Sequence, residues 1–66
     1  MKYPKQIMRS SELVEMGFPY DWLRELYLRP GQRIAWKNGK GKNSPLLFDT
    51  ELLERERQRA FERNRV

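Results

Sequence analysis

The sequence predicts a mainly α-helical domain that carries a small β-hairpin. A short segment that begins at Ser10 and ends at Gly17 has the boundary residues of a helix. Apolar residues then recur with helical spacing between Trp22 and Tyr27. Two short apolar runs enclose a loop that contains glycine, and a charged segment follows Asp49. The expected order is helix, tight turn, helix, hairpin, helix.

The first helix is predicted over Ser10–Met16. Its first residue can cap the N-terminus by accepting a hydrogen bond from an unpaired backbone N–H. Glu12 suits the positive end of the helix dipole. Gly17 predicts the end of the helix, because glycine readily adopts the left-handed conformation found there. Two apolar residues before the helix, Ile7 and Met8, are expected either to pair as a short strand or to pack against the core.

The second helix is predicted to start at Pro19, since proline is favoured at the first helical position. It is expected to end before the Pro30–Gly31 pair, which is typical of a turn. Its apolar residues share one helical face, which we expect to be buried: Trp22, Leu23, Leu26 and Tyr27. Its polar face carries Tyr20, Arg24 and Glu25.

The hairpin is predicted from the apolar runs at residues 34–36 and 46–48, on either side of a loop without apolar residues. Ile34 and Trp36 are expected on one side of the pleat. We expect Trp36, like the tryptophan of the second helix, to pack in the core rather than to stack on single-stranded bases. Asp49 or Thr50 is expected to cap the last helix.

Length and composition exclude several classes of function. A domain of 66 residues buries only about 60% of its unfolded surface, which leaves little room for an enclosed active site. The sequence has no cysteine and no histidine, so disulfides, Cys/His zinc sites and Ser-His or Cys-His catalysis are excluded. We expect one domain over residues 1–66, ordered from about residue 5 to 62, with no enzymatic activity, cofactor, metal or small-molecule substrate.

No apolar run approaches the roughly 20 residues that a membrane span needs. The first residues, Met1 to Met8, also lack the apolar stretch of a signal peptide. The sequence therefore predicts a cytoplasmic protein without membrane contact.

The charge is unevenly distributed along the chain. The formal net charge is +5 and the pI is about 10.0, and a pI above about 9 is typical of nucleic-acid-binding domains. Met1–Arg9 carries +3, whereas Ser10–Leu28 carries −3. Arg29–Ser44 carries +5 without a single acidic residue, and Pro45–Val66 is balanced. The excess positive charge is therefore concentrated in one internal segment and at one end.

Two short helices joined by a tight turn with glycine form a helix-turn-helix, and a hairpin after it makes a winged version. In this order the chain resembles the excisionase-like and MerR-like winged helix-turn-helix DNA-binding domains of mobile elements and phage. The resemblance covers about Ile7 to Phe61. It rests on residues 10–18, on Trp22-Leu23-Arg24 and on Leu46-Leu47-Phe48-Asp49.

The resemblance implies that the second helix enters the major groove of DNA and that the wing touches the backbone or minor groove. Carried over residue by residue, the contacts fall on Tyr20, Arg24 and Arg29 of the helix and on Arg33, Lys37, Lys40 and Lys42 of the wing. Asn38 and Asn43 add donors to the same loop. We call the segment Arg33–Asn43 the basic hairpin.

The chain departs from the family pattern in its second helix, where Asp21 and Glu25 would face phosphates and repel them. A carboxylate can accept a hydrogen bond from cytosine N4, which is a minority role. For Arg24, a bidentate contact to guanine and an intrahelical pair with Asp21 both remain open. The loop lysines either contact phosphates or form a solvated surface.

The expected function is that of a DNA-binding protein, either an excisionase-like recombination accessory factor or a small transcriptional regulator of a phage or mobile element. The expected partner is double-stranded DNA, together with an integrase or recombinase or with further copies of the chain. The alternative is a phage-type adaptor that modulates a host protein without binding DNA. Its docking face would be the acidic Ser10–Leu28 region and the charged last helix.

Overall fold

The computed structural model describes residues 2–41 and 44–61, which form three helices and three strands. In chain order these are β1 (Ile7–Arg9), α1 (Ser10–Glu15), α2 (Tyr20–Leu28), β2 (Ala35–Lys37), β3 (Leu46–Asp49) and α3 (Thr50–Phe61). The strands make one antiparallel sheet in the order β1-β3-β2. The predicted order of helices and hairpin is confirmed, but the domain is mixed α/β rather than mainly α, because residues 7–9 add a third strand.

One face of the sheet packs against the helices and lines the hydrophobic core. Met8, Phe48 and Ala35 lie side by side on the three strands, and all three are buried. Because side chains alternate along a strand, this row defines the inner face. The helices cover it with four leucines that are fully buried: Leu13, Leu23, Leu26 and Leu53.

Helix α1 starts at Ser10 as predicted, but its N-cap is one residue earlier than predicted. Arg9, with an extended backbone, is the N-cap and Ser10 is the first helical residue. The Glu12 carboxylate accepts a hydrogen bond from the Arg9 N–H at 2.9 Å, which satisfies a donor left over at the helix start. It also pairs with the Lys5 ammonium at 2.6 Å. These partners, the backbone N–H first, lower the pKa of Glu12.

Gly17 ends α1 as predicted, with a positive φ of 111°. The Gly17 N–H donates to the Val14 carbonyl at 2.9 Å, and the Phe18 N–H donates to the Leu13 carbonyl at 3.1 Å. This pair of bonds is the Schellman motif, which satisfies the last carbonyls of a helix. The turn delivers Phe18 into the core, where it is 6% exposed.

The second helix begins one residue later than predicted. Pro19 has an extended ψ of 130° and precedes the helix, so Tyr20 is its first residue. The predicted buried face is confirmed for Leu23 and Leu26, which are fully buried. Trp22 is half-buried and packs against the core, with its ring centroid 5.2 Å from that of Phe61 on α3.

The prediction that Ile34 and Trp36 share a buried side of the pleat is wrong. β2 begins at Ala35, and Ile34 lies in a bend before it. The bend lets consecutive residues, Ile34 and Ala35, both face the core, so regular alternation then turns Trp36 outward. Trp36 is 40% exposed, and it is not a core residue.

The bend is held by the side-chain amide of Gln32. Its Oε1 accepts from the backbone N–H groups of Ile34 at 2.7 Å and Ala35 at 2.8 Å. Its Nε2 donates to the carbonyls of Tyr27 at 3.1 Å and Ala35 at 2.8 Å. Because Tyr27 belongs to α2 and Ala35 to β2, this one side chain joins the second helix to the first strand of the hairpin.

The N-terminal segment is attached to α3 by a polar cluster. The Tyr3 hydroxyl donates to Glu54 at 2.7 Å. The Arg57 guanidinium donates two hydrogen bonds to the same carboxylate, at 2.8 and 2.6 Å. The bonds from Arg57, together with that from Tyr3, hold the pKa of Glu54 at about 2. Burial is the largest cause that raises the pKa of Tyr3.

The start of α3 confirms one of the two predicted caps. The Asp49 carboxylate accepts from the Glu51 N–H at 3.0 Å, which is the bond expected of an N-cap. Thr50 instead is buried and donates its hydroxyl to the Gln6 carbonyl at 2.6 Å. Within the described residues, no helix has both the length and the apolar character to cross a membrane.

Candidate nucleic-acid interface

The sheet brings together the two basic segments of the sequence. β1 belongs to Met1–Arg9, and β2 belongs to Arg29–Ser44. They lie on either side of the central strand β3. The acidic segment Ser10–Leu28 forms α1 and α2 instead. The separation of basic and acidic segments along the sequence is therefore kept in the fold. The basic segments supply both outer strands of the sheet.

The basic hairpin is an exposed edge of the sheet. The Asn38 N–H donates to the Pro45 carbonyl at 3.0 Å and extends the β2–β3 ladder into the loop. Gly39 follows with a φ of 114°, a conformation for which glycine is suited. Of the predicted contact residues in this segment, those described are all exposed: Arg33, Lys37, Asn38 and Lys40. Lys42 and Asn43 lie outside the described residues.

The predicted contact residues of α2 are exposed, but acidic residues accompany them. Tyr20 is 51% exposed, and Arg24 is exposed on the same helix. Asp21 and Glu25, one turn before Arg24 and directly after it, are exposed as well. The helix therefore presents a mixed surface, whereas the described part of the hairpin from residue 33 to 41 presents cations without carboxylates.

Arg29 is engaged within the domain. Its Nη1 lies 3.2 Å from Oε1 of Glu56 on α3, and its side chain is 50% exposed. The Glu56 carboxylate also lies 3.9 Å from Nη1 of Arg59. The Glu56 carboxylate beside Arg29 partly offsets the positive charge of its guanidinium. Arg29 therefore differs from the exposed residues Arg33, Lys37 and Lys40 in that its charge is engaged by an acidic residue of α3.

The sequence interpretation missed the second face of the sheet. Arg9, Leu47 and Trp36 lie side by side across the three strands, opposite to the buried row. Arg9 is exposed, Leu47 is half-buried and Trp36 is 40% exposed. The signal in the sequence was Ala35: once Ile34 is placed before the strand, strict alternation buries the alanine and exposes the tryptophan.

Within the described residues, no group of acidic, histidine or cysteine side chains could hold a metal ion. No protein-family model, no curated protein and no solved structure matches the chain. The resemblance to excisionase-like and MerR-like domains therefore stays a prediction from the residues that carry it.

Proposed function

We propose that the chain is a DNA-binding protein of the winged helix-turn-helix type. It acts as an excisionase-like recombination accessory factor or as a small transcriptional regulator of a phage or mobile element. In this proposal α2 lies at the major groove, and the basic hairpin is the wing that contacts the phosphate backbone. The partner is double-stranded DNA, with an integrase or recombinase or further copies of the chain bound beside it.

The observation that carries the proposal is the exposed, acid-free surface of the basic hairpin. Arg33, Lys37 and Lys40 are exposed on one short edge of the domain. The segment Arg29–Ser44 that contains them has no acidic residue. Each phosphate that such a cation neutralises releases condensed counterions, which favours binding. The order of two short helices followed by this hairpin supports the winged arrangement.

The two parts of the interface contribute differently in this proposal. Asp21 and Glu25 weaken the attraction of α2 for phosphates, so the hairpin supplies most of the non-specific affinity. Arg24 remains the candidate for reading a base, because a guanidinium can donate two hydrogen bonds to guanine. Affinity and sequence preference are thus assigned to different elements.

Duplex affinity should fall steeply with salt. If Arg33, Lys37 and Lys40 each neutralise a phosphate, log K against log salt should have a slope of about −3, since each contact contributes about −0.9. Fluorescence anisotropy with a labelled duplex between 50 and 200 mM salt, about the range where this effect is large, measures the slope. A slope near zero would contradict the proposal.

The variant Lys40→Ala should reduce the slope by about one and should weaken binding equally on unrelated duplexes. Arg55→Ala is the matched control, because it removes the same charge from an exposed residue of α3. It should leave the slope nearly unchanged. Equal effects of the two variants would indicate that net charge alone, and not the hairpin, drives binding.

A second candidate function is a protein-interaction adaptor. Exposed apolar residues lie among the carboxylates of α1 and near both ends of α2: Val14 at 41%, Tyr20 at 51% and Leu28 at 61% exposure. Mixed acidic and apolar surface of this kind suits a protein partner. Recovery of a stoichiometric protein partner, with no retention of duplex DNA at low salt, would favour this function over the first.

A further inference from the structure

The outer face of the sheet, which we define by Ile7, Arg9, Trp36 and Leu47, is a second surface beside the basic hairpin. Ile7 is 39% exposed and Trp36 is 40% exposed. The register aligns Arg9, Leu47 and Trp36 in one row across all three strands. An indole ring is thereby held on a three-stranded platform in the same row as a guanidinium.

The row of Arg9, Leu47 and Trp36 carries one cation and no carboxylate. Arg9 lies on the face itself, whereas Lys37, the residue after Trp36, lies on the opposite side of the pleat, in register with Leu46. Asp49, opposite Ile7 in the register, is the acidic residue nearest in the sheet. Its carboxylate accepts the capping hydrogen bond from the Glu51 N–H at 3.0 Å, so it is committed to α3. The row that contains Trp36 is on balance positive.

A second copy of the chain fits this face poorly. In a two-fold interface the same surfaces meet, which would place two copies of Arg9 in one interface. Pairing through the edge strand β2 is also hindered, since Gln32 occupies both the N–H and the carbonyl of Ala35 at 2.8 Å each. The combination of an exposed aromatic ring and a cation in the same row is instead that of a stacking platform for an unpaired base.

We propose that the outer face of the sheet binds an unpaired base of DNA, which stacks on Trp36 while Arg9 contacts an adjoining phosphate. The inference rests on the proposed DNA-binding function and deepens it. It assigns to the same protein a preference for duplex that is locally opened or continues into a single strand. Every base has a π face, so the stacking requires no particular sequence.

The test uses Trp36 as its own reporter. The chain has two tryptophans, so the variant Trp22→Phe leaves Trp36 as the single indole. Trp22 packs between Phe18 and Phe61, where a phenylalanine preserves the aromatic contacts. Titration with a single-stranded oligonucleotide should quench Trp36 fluorescence to saturation. An abasic strand of the same length, with the same phosphates and no bases, should produce little quenching.

A second set of measurements uses the variants Trp36→Ala and Trp36→Phe. Single-stranded affinity should fall about five- to hundred-fold in Trp36→Ala, the effect typical of one stacked base, and much less in Trp36→Phe. Blunt duplex affinity should stay within about two-fold, because the phosphate contacts proposed for Arg33, Lys37 and Lys40 remain. Circular dichroism confirms the fold, which is expected to tolerate the change because Trp36 is not part of the core.

The outcomes separate this inference from the function on which it rests. Equal quenching by abasic and natural strands, or equal single-stranded affinity of all Trp36 variants, overturns the inference. A Trp36 signal that changes with protein concentration in the absence of DNA overturns it too, because it assigns the face to a second copy. Absence of salt-dependent binding to any duplex would instead overturn the proposed function. Selective quenching by natural strands supports the inference.

Discussion

Replacing Gln32 by alanine is expected to lower the free energy of unfolding by about 2–3 kcal/mol, a large part of the 3–5 kcal/mol or so that a core of this size supplies. The Gln32 amide bonds four backbone groups, belonging to Tyr27, Ile34 and Ala35. Removing it leaves partly buried donors and acceptors without their partner, which costs more than the bonds themselves contribute. The hairpin should also lose its fixed position relative to α2.

Urea unfolding of the wild type and of Gln32→Ala measures this effect. Gln6→Ala is the matched control, because Gln6 is exposed and its backbone carbonyl, which accepts from Thr50, is unaffected by the substitution. The control should change stability by less than about 0.5 kcal/mol. Faster amide exchange at Ile34 and Ala35 in Gln32→Ala should accompany the loss. Equal stabilities of the two variants would contradict the role assigned to Gln32.

Replacing Glu54 by glutamine should cost about 1.5–3 kcal/mol at pH 7, the range for hydrogen bonds to a charged group. The carboxylate holds Tyr3 and Arg57 together, and its side chain is only 16% exposed. The substitution keeps the shape but removes the charge that attracts the Arg57 guanidinium. The contact between the N-terminal segment and α3 should weaken first.

The cost of Glu54→Gln should depend on pH in a defined direction. The folded-state pKa of Glu54 is about 2, below the ordinary value of 4.5. A lowered pKa means that the stabilisation is complete above about pH 5 and is lost as pH falls from there toward 2. The difference between wild type and variant should therefore shrink over this range. Thermal unfolding at several pH values measures it, with Glu15→Gln, an exposed carboxylate of α1, as the control. A difference that stays constant from pH 7 to about pH 3 would contradict the account.

The sequence predicted best those elements whose signals are local. Gly17 ends α1 through two backbone bonds that need no distant partner, and Asp49 caps α3 through a bond to Glu51, two residues away. The helical spacing of Leu23 and Leu26 also predicted their burial. Each of these features is determined within a few residues of the chain.

The features that the sequence left open or predicted wrongly depend on distant partners. Ile7–Arg9 becomes a strand because it pairs with residues 47–49, about 40 residues later. Trp36 is exposed because the Gln32 amide bends the chain before Ala35. Arg29 was predicted as a contact residue, but α3 places the carboxylate of Glu56 beside it. Propensity and periodicity do not encode such contacts.

The cations of the hairpin were predicted from the sequence, but the sheet face beside them was not. The exposed cations Arg33, Lys37 and Lys40 follow from the acid-free segment of the sequence. The strand order β1-β3-β2 places Arg9 and Trp36 on the same sheet as this hairpin. The two basic segments of the sequence are thereby brought to one sheet. The fold thus enlarges the surface from a hairpin to a hairpin and the sheet face beside it.

The central claim, that the basic hairpin contacts the DNA backbone, is tested most directly by amide chemical-shift mapping with a non-specific duplex at low salt. We expect the largest shift changes within Arg33–Asn43, smaller ones near Tyr20 and Arg24, and little change in the middle of α3. Changes confined to α1 or α3, with the resonances of the basic hairpin unmoved, would contradict it.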